Sequence, residues 1–343
     1  MLVLGIDTSC DDTSVAVYDS DLERILAEDV SSRIQLHARY GGVVPEIAAR
    51  QHLELLLPMI ESLLDRSGLA AGPDAVQLIA ATRGPGLIGG LLVGLGCAKA
   101  LSLGWVVPFV GVNHIEGHLV SIQLSRPATP YPHIALVVSG GHSEIYRAVS
   151  PTEYVLLGET RDDAAGELLD KVGRLLDLPF PAGKTIDEWT LEADPNEPHP
   201  DFPRPLLNRD SLEFSFSGLK TACLYFLRSG EAGKVSRESV GAEVFRAAAD
   251  CLLGKAFLAC RRENIGTLVI SGGVASSGYL RREARQRAGV EGVDASFPEP
   301  HHCTDNAAMI ALCGWHRFRV RGGDSYDLDC DASLSVGTEA VKP

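Results

Sequence analysis

Leu2-Val-Leu-Gly-Ile-Asp-Thr-Ser-Cys-Asp-Asp-Thr-Ser-Val-Ala-Val-Tyr18 opens the chain with an apolar run over residues 2–6, a polar loop over 7–13 and a second apolar run over 14–18. This pattern predicts a strand-turn-strand hairpin. The same unit returns about 130 residues later: apolar residues 134–138, the turn Ser139-Gly-Gly-His142, then 144–149. A unit begun twice predicts two α/β halves with a cleft between them. Working outward, apolar spacing predicts helices over 47–64 (ending near Gly68), 87–103, 164–176, 239–260, 279–287 and 307–320. Strands are predicted over 75–81, 106–112 and 267–270, and an exposed loop over 194–210, rich in Pro, Asp and Asn. The tail after Gly322 is acidic, then polar. Residues 1–112 are expected to form the first half, with helix 307–320 packing back on it. Residues 113–306 are expected to form the second.

The 343 residues are 45% hydrophobic and 22% charged, which excludes a disordered or collagen-like chain. Their number predicts about two domains. With 31 Lys and Arg against 45 Asp and Glu, the net charge is −14. Such a chain is a poor general binder of nucleic acid and would need a focused basic patch. Arg281, Arg282, Arg285 and Arg287, or Arg317, Arg319 and Arg321, are the candidates, against the plainer alternative of solvated helix faces. Eight cysteines without a C-x-x-C pair predict a reduced, intracellular protein with neither a disulfide framework nor a structural zinc site. The N-terminus lacks a basic leader. The apolar stretch 87–112 is interrupted by Lys99 and Pro108 and reads as a buried helix and strand, not a membrane span. The expected compartment is the cytosol.

Several constellations could carry chemistry. Gly84-Pro-Gly-Leu-Ile-Gly89 matches the dinucleotide fingerprint, but the following strand ends at Asn113 without the carboxylate such a site needs, so close helix packing is the better reading. Gly183-Lys184-Thr185 ends like a P-loop, yet the first glycine is replaced by Leu178. His114 and His118, four apart, would share one helix face and could hold a metal, with Asp305, His301 or His302 as third ligand. Glu116 lies between them in the order H-x-E-x-H, which disfavours a zinc peptidase, whose order is H-E-x-x-H. Three turns (7–12, 139–141 and 271–273) follow strands, as phosphate-cradling turns do, and favour a nucleotide cleft. Asp162 and Asp163 suit a helix N-terminus, whereas Asp170 lies too far along the helix for that. Ser215-Phe-Ser-Gly-Leu-Lys220 reads either as an anion anchor through Lys220 or as a capped helix start.

Eight motifs in order make the chain similar to the TsaD family, the tRNA adenosine threonylcarbamoyltransferases once labelled O-sialoglycoprotein endopeptidases. They are Gly5-Ile-Asp-Thr-Ser-Cys-Asp-Asp-Thr13, Tyr40-Gly-Gly-Val-Val-Pro-Glu46, Gly84-Pro-Gly-Leu87, Asn113-His-Ile-Glu-Gly-His118, Val138-Ser-Gly-Gly-His142, Asp162-Asp-Ala-Ala-Gly-Glu167 with Asp170-Lys171, Phe214-Ser-Phe-Ser-Gly-Leu-Lys220 and Cys303-Thr-Asp-Asn306. The resemblance implies a duplicated actin/Hsp70/sugar-kinase (ASKHA) fold with two lobes around a nucleotide cleft. It implies transfer of threonylcarbamoyl from threonylcarbamoyl-AMP to N6 of the adenosine 3′ of the anticodon in tRNA. It further implies a metal on His114, His118 and Asp305, one Fe(2+) per chain, with zinc or another divalent ion possible in vitro.

By the same resemblance, Val137, Val138, Ser139, Gly140, Gly141, Asp170, Gly183, Asp187 and Ser277 fall on substrate positions. Two departures stand out: Ser277 replaces a usual Asn in G-G-V-x-x-N, and Asp7 and Asp12 stand where glutamates are common. Asp11 or Asp12 is the candidate base for the adenine amine. TsaB- and TsaE-like partners are implied for a bacterial enzyme, after TsaC makes the adenylate; no membrane is implied. A sugar-kinase-like phosphotransferase and a non-catalytic nucleotide-binding scaffold are the alternatives.

Overall fold

A computed structural model describes residues 1–337 apart from 70, 71, 73, 74 and 195–197. Contacts divide the chain into two units. One comprises Met1–Thr129, Ser150–Tyr154 and the chain from Asp305; the other comprises Pro130–Val149 and Val155–Thr304.

The first unit is built on strands β1 (Leu2–Asp7), β2 (Thr13–Asp19), β3 (Arg24–Ser31), β4 (Leu78–Gly84) and β5 (Phe109–Asn113), in the order β3-β2-β1-β4-β5. β1 and β2 pair antiparallel from Leu2↔Asp19 to Asp7↔Ser14, while β4 and β5 add in parallel. Its helices are α1 (Ile34–Ala38), α2 (Pro45–Arg66), α3 (Ile88–Trp105), α4 (His114–Val120) and α11 (Ala307–Arg321). Alternation along the strands separates two layers. Leu4, Ile6, Val15, Val17, Ile79 and Ala81 form one core with α2 and α3. On the other side Ala16 packs with Ala307 and Ala308, and a Cβ on Gly5 would lie 2.1 Å from the Ala307 carbonyl oxygen. Small residues thus seat α11 hard on the sheet.

The second unit repeats the plan. Strands β6 (His133–Val138), β7 (Ser143–Ser150), β8 (Glu153–Glu159), β9 (Thr267–Ser271) and β10 (Asp294–Ser296) lie in the order β8-β7-β6-β9-β10. Again the first pair is antiparallel and the later strands are parallel. Helices α5 (Ala165–Leu175), α6 (Gly183–Glu192), α7 (Ser217–Leu227), α8 (Arg237–Glu263), α9 (Gly278–Glu291) and α10 (Pro300–Cys303) complete it. The duplication expected from the two hairpins is therefore present strand for strand.

Several boundaries move. The strand expected at 106 starts at Phe109, because Val106 takes a left-handed conformation (φ 57) that closes α3 and Pro108 follows. The first unit continues past residue 112 to Thr129, since α4 packs on α11. Strands β3, β8 and β10 and helices α1, α6 and α10 lie outside the elements expected from sequence. In the expected loop 194–210 the described residues form no helix or strand; 195–197 lie outside the described residues, as does 338–343 of the tail. α3 is long and apolar enough to cross a membrane by composition, yet Leu91, Leu95 and Ala98 are buried in the first unit. All eight cysteines are free.

Candidate metal centre and ligand pocket

In the first unit, β5 delivers Asn113 to the start of α4, where its side-chain oxygen accepts from the Ile115 amide (2.9 Å). This cap fixes the first turn, so His114 and His118 project together, their rings 4.9 Å apart and edge to face. Asn306 caps α11 in the same way through the Met309 amide, holding Asp305 just outside that helix. The Asp305 carboxylate lies 3.3 Å from Nε2 of His114 and 3.3 Å from Nε2 of His118. Of the three candidates for a third ligand, Asp305 therefore closes the set, and the donor atoms lie within 4.8 Å of one another. Behind it, His114 Nδ1 meets Ser9 Oγ (3.1 Å) and Asp7 (3.3 Å).

The electrostatics suit a cation. Burial opposes the charge on His114, but Asp305 and Asp7 outweigh it and hold its pKa well above the ordinary value. At His118 burial prevails and the pKa is lowered. Asp305, against its burial, is held far below the carboxylate range by the two imidazoles. His118 is fully buried; its Nδ1 has no hydrogen-bond partner among the described residues, and its Nε2 faces Asp305 at 3.3 Å. A buried imidazole facing an ionised carboxylate and a second imidazole is a donor set that fits a divalent transition metal.

Beside this cluster runs the acidic loop 8–12. Gly86, at φ +151, would bring a Cβ within 2.4 Å of the Ser9 carbonyl oxygen, which instead accepts the Leu87 amide at 2.7 Å. Thr8 Oγ1 donates to the Gly90 carbonyl (2.8 Å), and a Cβ on Gly90 would sit 2.3 Å from the Thr8 carbonyl oxygen. Gly86 and Gly90 thus let α3 approach the acidic loop, while Gly84 packs against Asp331 and Gly89 against Ala49 of α2, packing roles and not dinucleotide ones. His52 pins the far end through Thr13 Oγ1 (2.8 Å) and the Cys10 carbonyl (3.0 Å). Burial, only partly relieved by a Ser32 hydrogen bond and reinforced by Asp11, Asp305 and Asp7, raises Asp12 to about 6. Its Oδ1 is buried without a hydrogen-bond partner among the described residues.

The second unit holds a cavity of about 410 Å³ lined by Gly140, Asp170, Gly183, Asp187 and Ser277, together with Gly166, Lys184, Phe245 and Val274. Of the residues expected at substrate positions, these first five meet there. Val137 and Val138 are fully buried inside β6, and Ser139 and Gly141 lie in the adjoining turn. Gly166 and Gly272 admit that turn: a Cβ on either would come within 2.6 Å of the Ser139 or 2.4 Å of the Val138 carbonyl oxygen. Asp170 accepts from the Ala182 amide (2.9 Å), and burial raises its pKa against that bond and Arg174.

Asp187 reaches from α6 to the start of α9, accepting from Ser277 Oγ (2.6 Å), the Gly278 amide (2.9 Å) and the Tyr279 amide (3.1 Å). Ser277 is the N-cap of α9, its hydroxyl also accepting from the Leu280 amide at 3.0 Å. A serine caps as well as an asparagine, so the substitution leaves the helix start intact while its single proton goes to Asp187.

Other expectations resolve differently. Asp162 caps α7 from outside, accepting from Ser215 Oγ, the Phe216 and Ser217 amides and Ser217 Oγ at 2.5–3.1 Å, so 215–220 is a capped helix start. Lys220 lies 3.4 Å from Asp163. Glu116 is held in a buried two-pronged pair with Arg317 (2.9 and 2.6 Å), which removes Arg317 from any basic surface. Arg281 donates to the Ala275 and Pro298 carbonyls and to Cys303, and Arg287 pairs with Asp250. Each cluster is thus partly engaged: Arg281, Arg287 and Arg317 are tied down, while Arg282, Arg285 and Arg319 stay exposed. The roles of Asp187 and Arg281 as ties between distant segments had no signal in sequence spacing.

A family profile described as "TsaD: tRNA N6-adenosine threonylcarbamoyltransferase" matches residues 24–312. A protein of that name from Anaeromyxobacter sp. is 45% identical over 333 residues, 96% of this chain and 98% of its own length. Another from Thermosipho africanus is 44% identical over 336 residues, covering 98% and 100%. Among solved structures, HypF of T. kodakarensis aligns with a TM-score of 0.62 at 12% identity, covering 94% of this chain and 48% of its own. Component A of the Acidaminococcus fermentans (R)-2-hydroxyglutaryl-CoA dehydratase aligns at 0.55 and 15%, covering 92% and 98%. These last two likenesses show the ASKHA fold alone.

Proposed function

Since the chain belongs to the TsaD family and is a threonylcarbamoyltransferase acting on N6 of a tRNA adenosine, forming t6A, we propose that its donor is threonylcarbamoyl-AMP and that a divalent metal, Fe(2+) by resemblance, sits on His114, His118 and Asp305. The relatives favour this transfer over the phosphotransferase and scaffold alternatives. The single observation that carries the metal reading is the fully buried His118 converging with His114 on the Asp305 carboxylate. A cation held by these three residues would supply Lewis acidity and a positive charge for the donor's carboxylate or phosphate.

The remaining work falls to the chain's own side chains. The donor is a mixed anhydride and already activated, so positioning and charge stabilisation dominate. The N6 amine attacks the carbamoyl carbon, the bond to the phosphate oxygen breaks, AMP leaves, and the amine loses one proton. Asp12, raised to about 6 and with one buried oxygen lacking a partner, is suited to take that proton near neutral pH; Asp11 is its neighbour and rival. The cavity lined by Asp170, Gly183 and Asp187 is of a size to hold the adenylate part. TsaB- and TsaE-like proteins are the proposed partners. Leu53, Leu57 and Leu92, 71%, 51% and 55% exposed beside an apolar groove between α2 and α3, support a protein partner on that face. Substrate and partners imply a cytoplasmic enzyme.

The test is transfer from threonylcarbamoyl-AMP to tRNA with the partners present, with elemental analysis of protein purified without a metal-affinity tag. About one transition-metal ion per chain and transfer lost in His118→Ala are expected. Transfer by a metal-free wild type would overturn the metal reading.

A further inference from the structure

The glutamate between the two histidines has no part in the chemistry above, yet its surroundings are unusual. On α4, Glu116 points away from the face that His114 and His118 share, since two residues turn the helix by about 200°. It is 2% exposed and meets Arg317, 7% exposed, through two hydrogen bonds of 2.9 and 2.6 Å. Arg317 lies on α11, the helix whose N-terminus presents Asp305. The pair therefore joins the two elements that carry the three ligands.

Other contacts leave this pair a defined task. α11 is fixed on the sheet: a Cβ on Gly314 would lie 2.3 Å from Ala80 Cβ. α4 approaches α11 closely because Gly117 faces Ile310 and Met309, which a Cβ would meet at 3.0 and 3.1 Å. This flat contact sets the distance between the helices and, with the Asn113 cap, seats α4 among buried neighbours. The two-pronged guanidinium-carboxylate pair adds a directional tie, because its geometry is planar. A buried ion pair adds little stability over well-packed apolar residues, so stability alone is a poor account of it.

We propose that Glu116 and Arg317 are positioning residues for the metal centre, fixing the rotation and register of α4 on α11 so that both imidazoles converge on Asp305. The inference rests on the metal reading. Groups hydrogen-bonded to metal ligands typically change affinity about 10- to 100-fold when altered; Glu116 and Arg317 act one step further out, through the two helices, so the lower end of that range is the expected effect.

The test uses the full-length chain, Co2+ alone as probe, its absorption spectrum as a report of ligand geometry, and competition against a chromophoric chelator for affinity. Melting temperature is recorded in parallel, and affinities refer to the folded fraction. Arg317→Lys keeps the charge and loses the fork; Glu116→Leu/Arg317→Met replaces the pair by apolar volume. Both are expected to bind Co2+ at least tenfold more weakly than wild type with an altered spectrum, the double variant without a matching loss of melting temperature. Arg317→Lys alone decides should the double variant not fold. Wild-type affinity and spectrum in the folded fraction of either variant would overturn the proposal, leaving the pair merely structural. A wild type that binds no Co2+, like the His118→Ala control, would overturn the metal reading and this inference with it.

Discussion

Asp12 shows how a single residue acquires a role from its surroundings. Its carboxylate is raised from 3.8 to about 6, with burial the main cause and three neighbouring carboxylates adding to it. The sign follows directly: the fold disfavours the ionised form, so the cost is present at pH 7 and fades as pH falls through 6 towards 4, where both folded and unfolded chains are protonated. Asp12→Asn is therefore expected to stabilise metal-free protein at pH 7 by about 1–2 kcal/mol after allowing for solvent screening, and so to raise its melting temperature. Calorimetry across pH should find that gain gone below about pH 4. The same variant should slow single-turnover transfer about 100-fold or more if Asp12 is the base; unchanged turnover would move that role to Asp11. Asp187 and Ser277 make the complementary case. Ser277→Ala removes both the Leu280 cap and a bond to Asp187 and should cost about 1 kcal/mol by denaturant titration, whereas Ser277→Asn should cost little. The added amide hydrogen of asparagine should tighten threonylcarbamoyl-AMP binding up to about tenfold, with saturated turnover unchanged.

Among the elements, what was legible in sequence was what is buried on one consistent period. β1, β2 and β6 are apolar and buried almost throughout, and α5 has a clean apolar stripe through Leu168, Leu169 and Val172, so both hairpins and most long helices could be read directly. β3 and β8 could not: β3 mixes Arg, Glu and Asp with half-buried apolar residues, and β8 sets an exposed apolar run between two glutamates, so both edge strands lose the alternation. α6 was hidden by its P-loop-like start, and β10 is only three residues long. Of the candidate site, the histidine pair was legible from local spacing, but the third ligand and the substrate positions came from ordered motifs, because they meet only through the fold. The glycines at 84–90 were legible as packing residues, though their partners are not the sheet but Asp331 for Gly84, α2 for Gly89 and the acidic loop for Gly90 and Gly86. That contact gives a prediction: Gly86→Ala places a Cβ against the Ser9 carbonyl at a positive φ and should cost about 2 kcal/mol or more. It should also displace the acidic loop, so metal content and the Asp12 titration should shift together, readable by elemental analysis and by the pH dependence of melting.

For the molecule as a whole, charge and apolar surface decide what it can do alone. At −14, with Arg281, Arg287 and Arg317 engaged internally and Arg282, Arg285 and Arg319 of those two clusters left exposed on an acidic chain, the protein releases few counterions from tRNA. Its own tRNA binding should be weak at physiological salt, with a shallow dependence on ionic strength, as filter binding or anisotropy would show. Assembly has a better foothold. Three leucines on α2 and α3 stand more than half exposed around an apolar groove of about 480 Å³, and such contiguous surface is costly for a lone chain to leave in water. Leu92, from α3, lies at that groove and packs into no core cluster, so a charge there should be tolerated by the fold. Leu92→Glu is accordingly expected to keep the wild-type melting temperature and metal content while weakening association with a TsaB-like partner about tenfold or more, because a carboxylate would be desolvated in the interface. Calorimetric titration of the two purified proteins measures this directly. Undiminished affinity in Leu92→Glu and in Leu53→Glu would show that the partner docks elsewhere, and the exposed face of α2 and α3 would then lack the role given to it here.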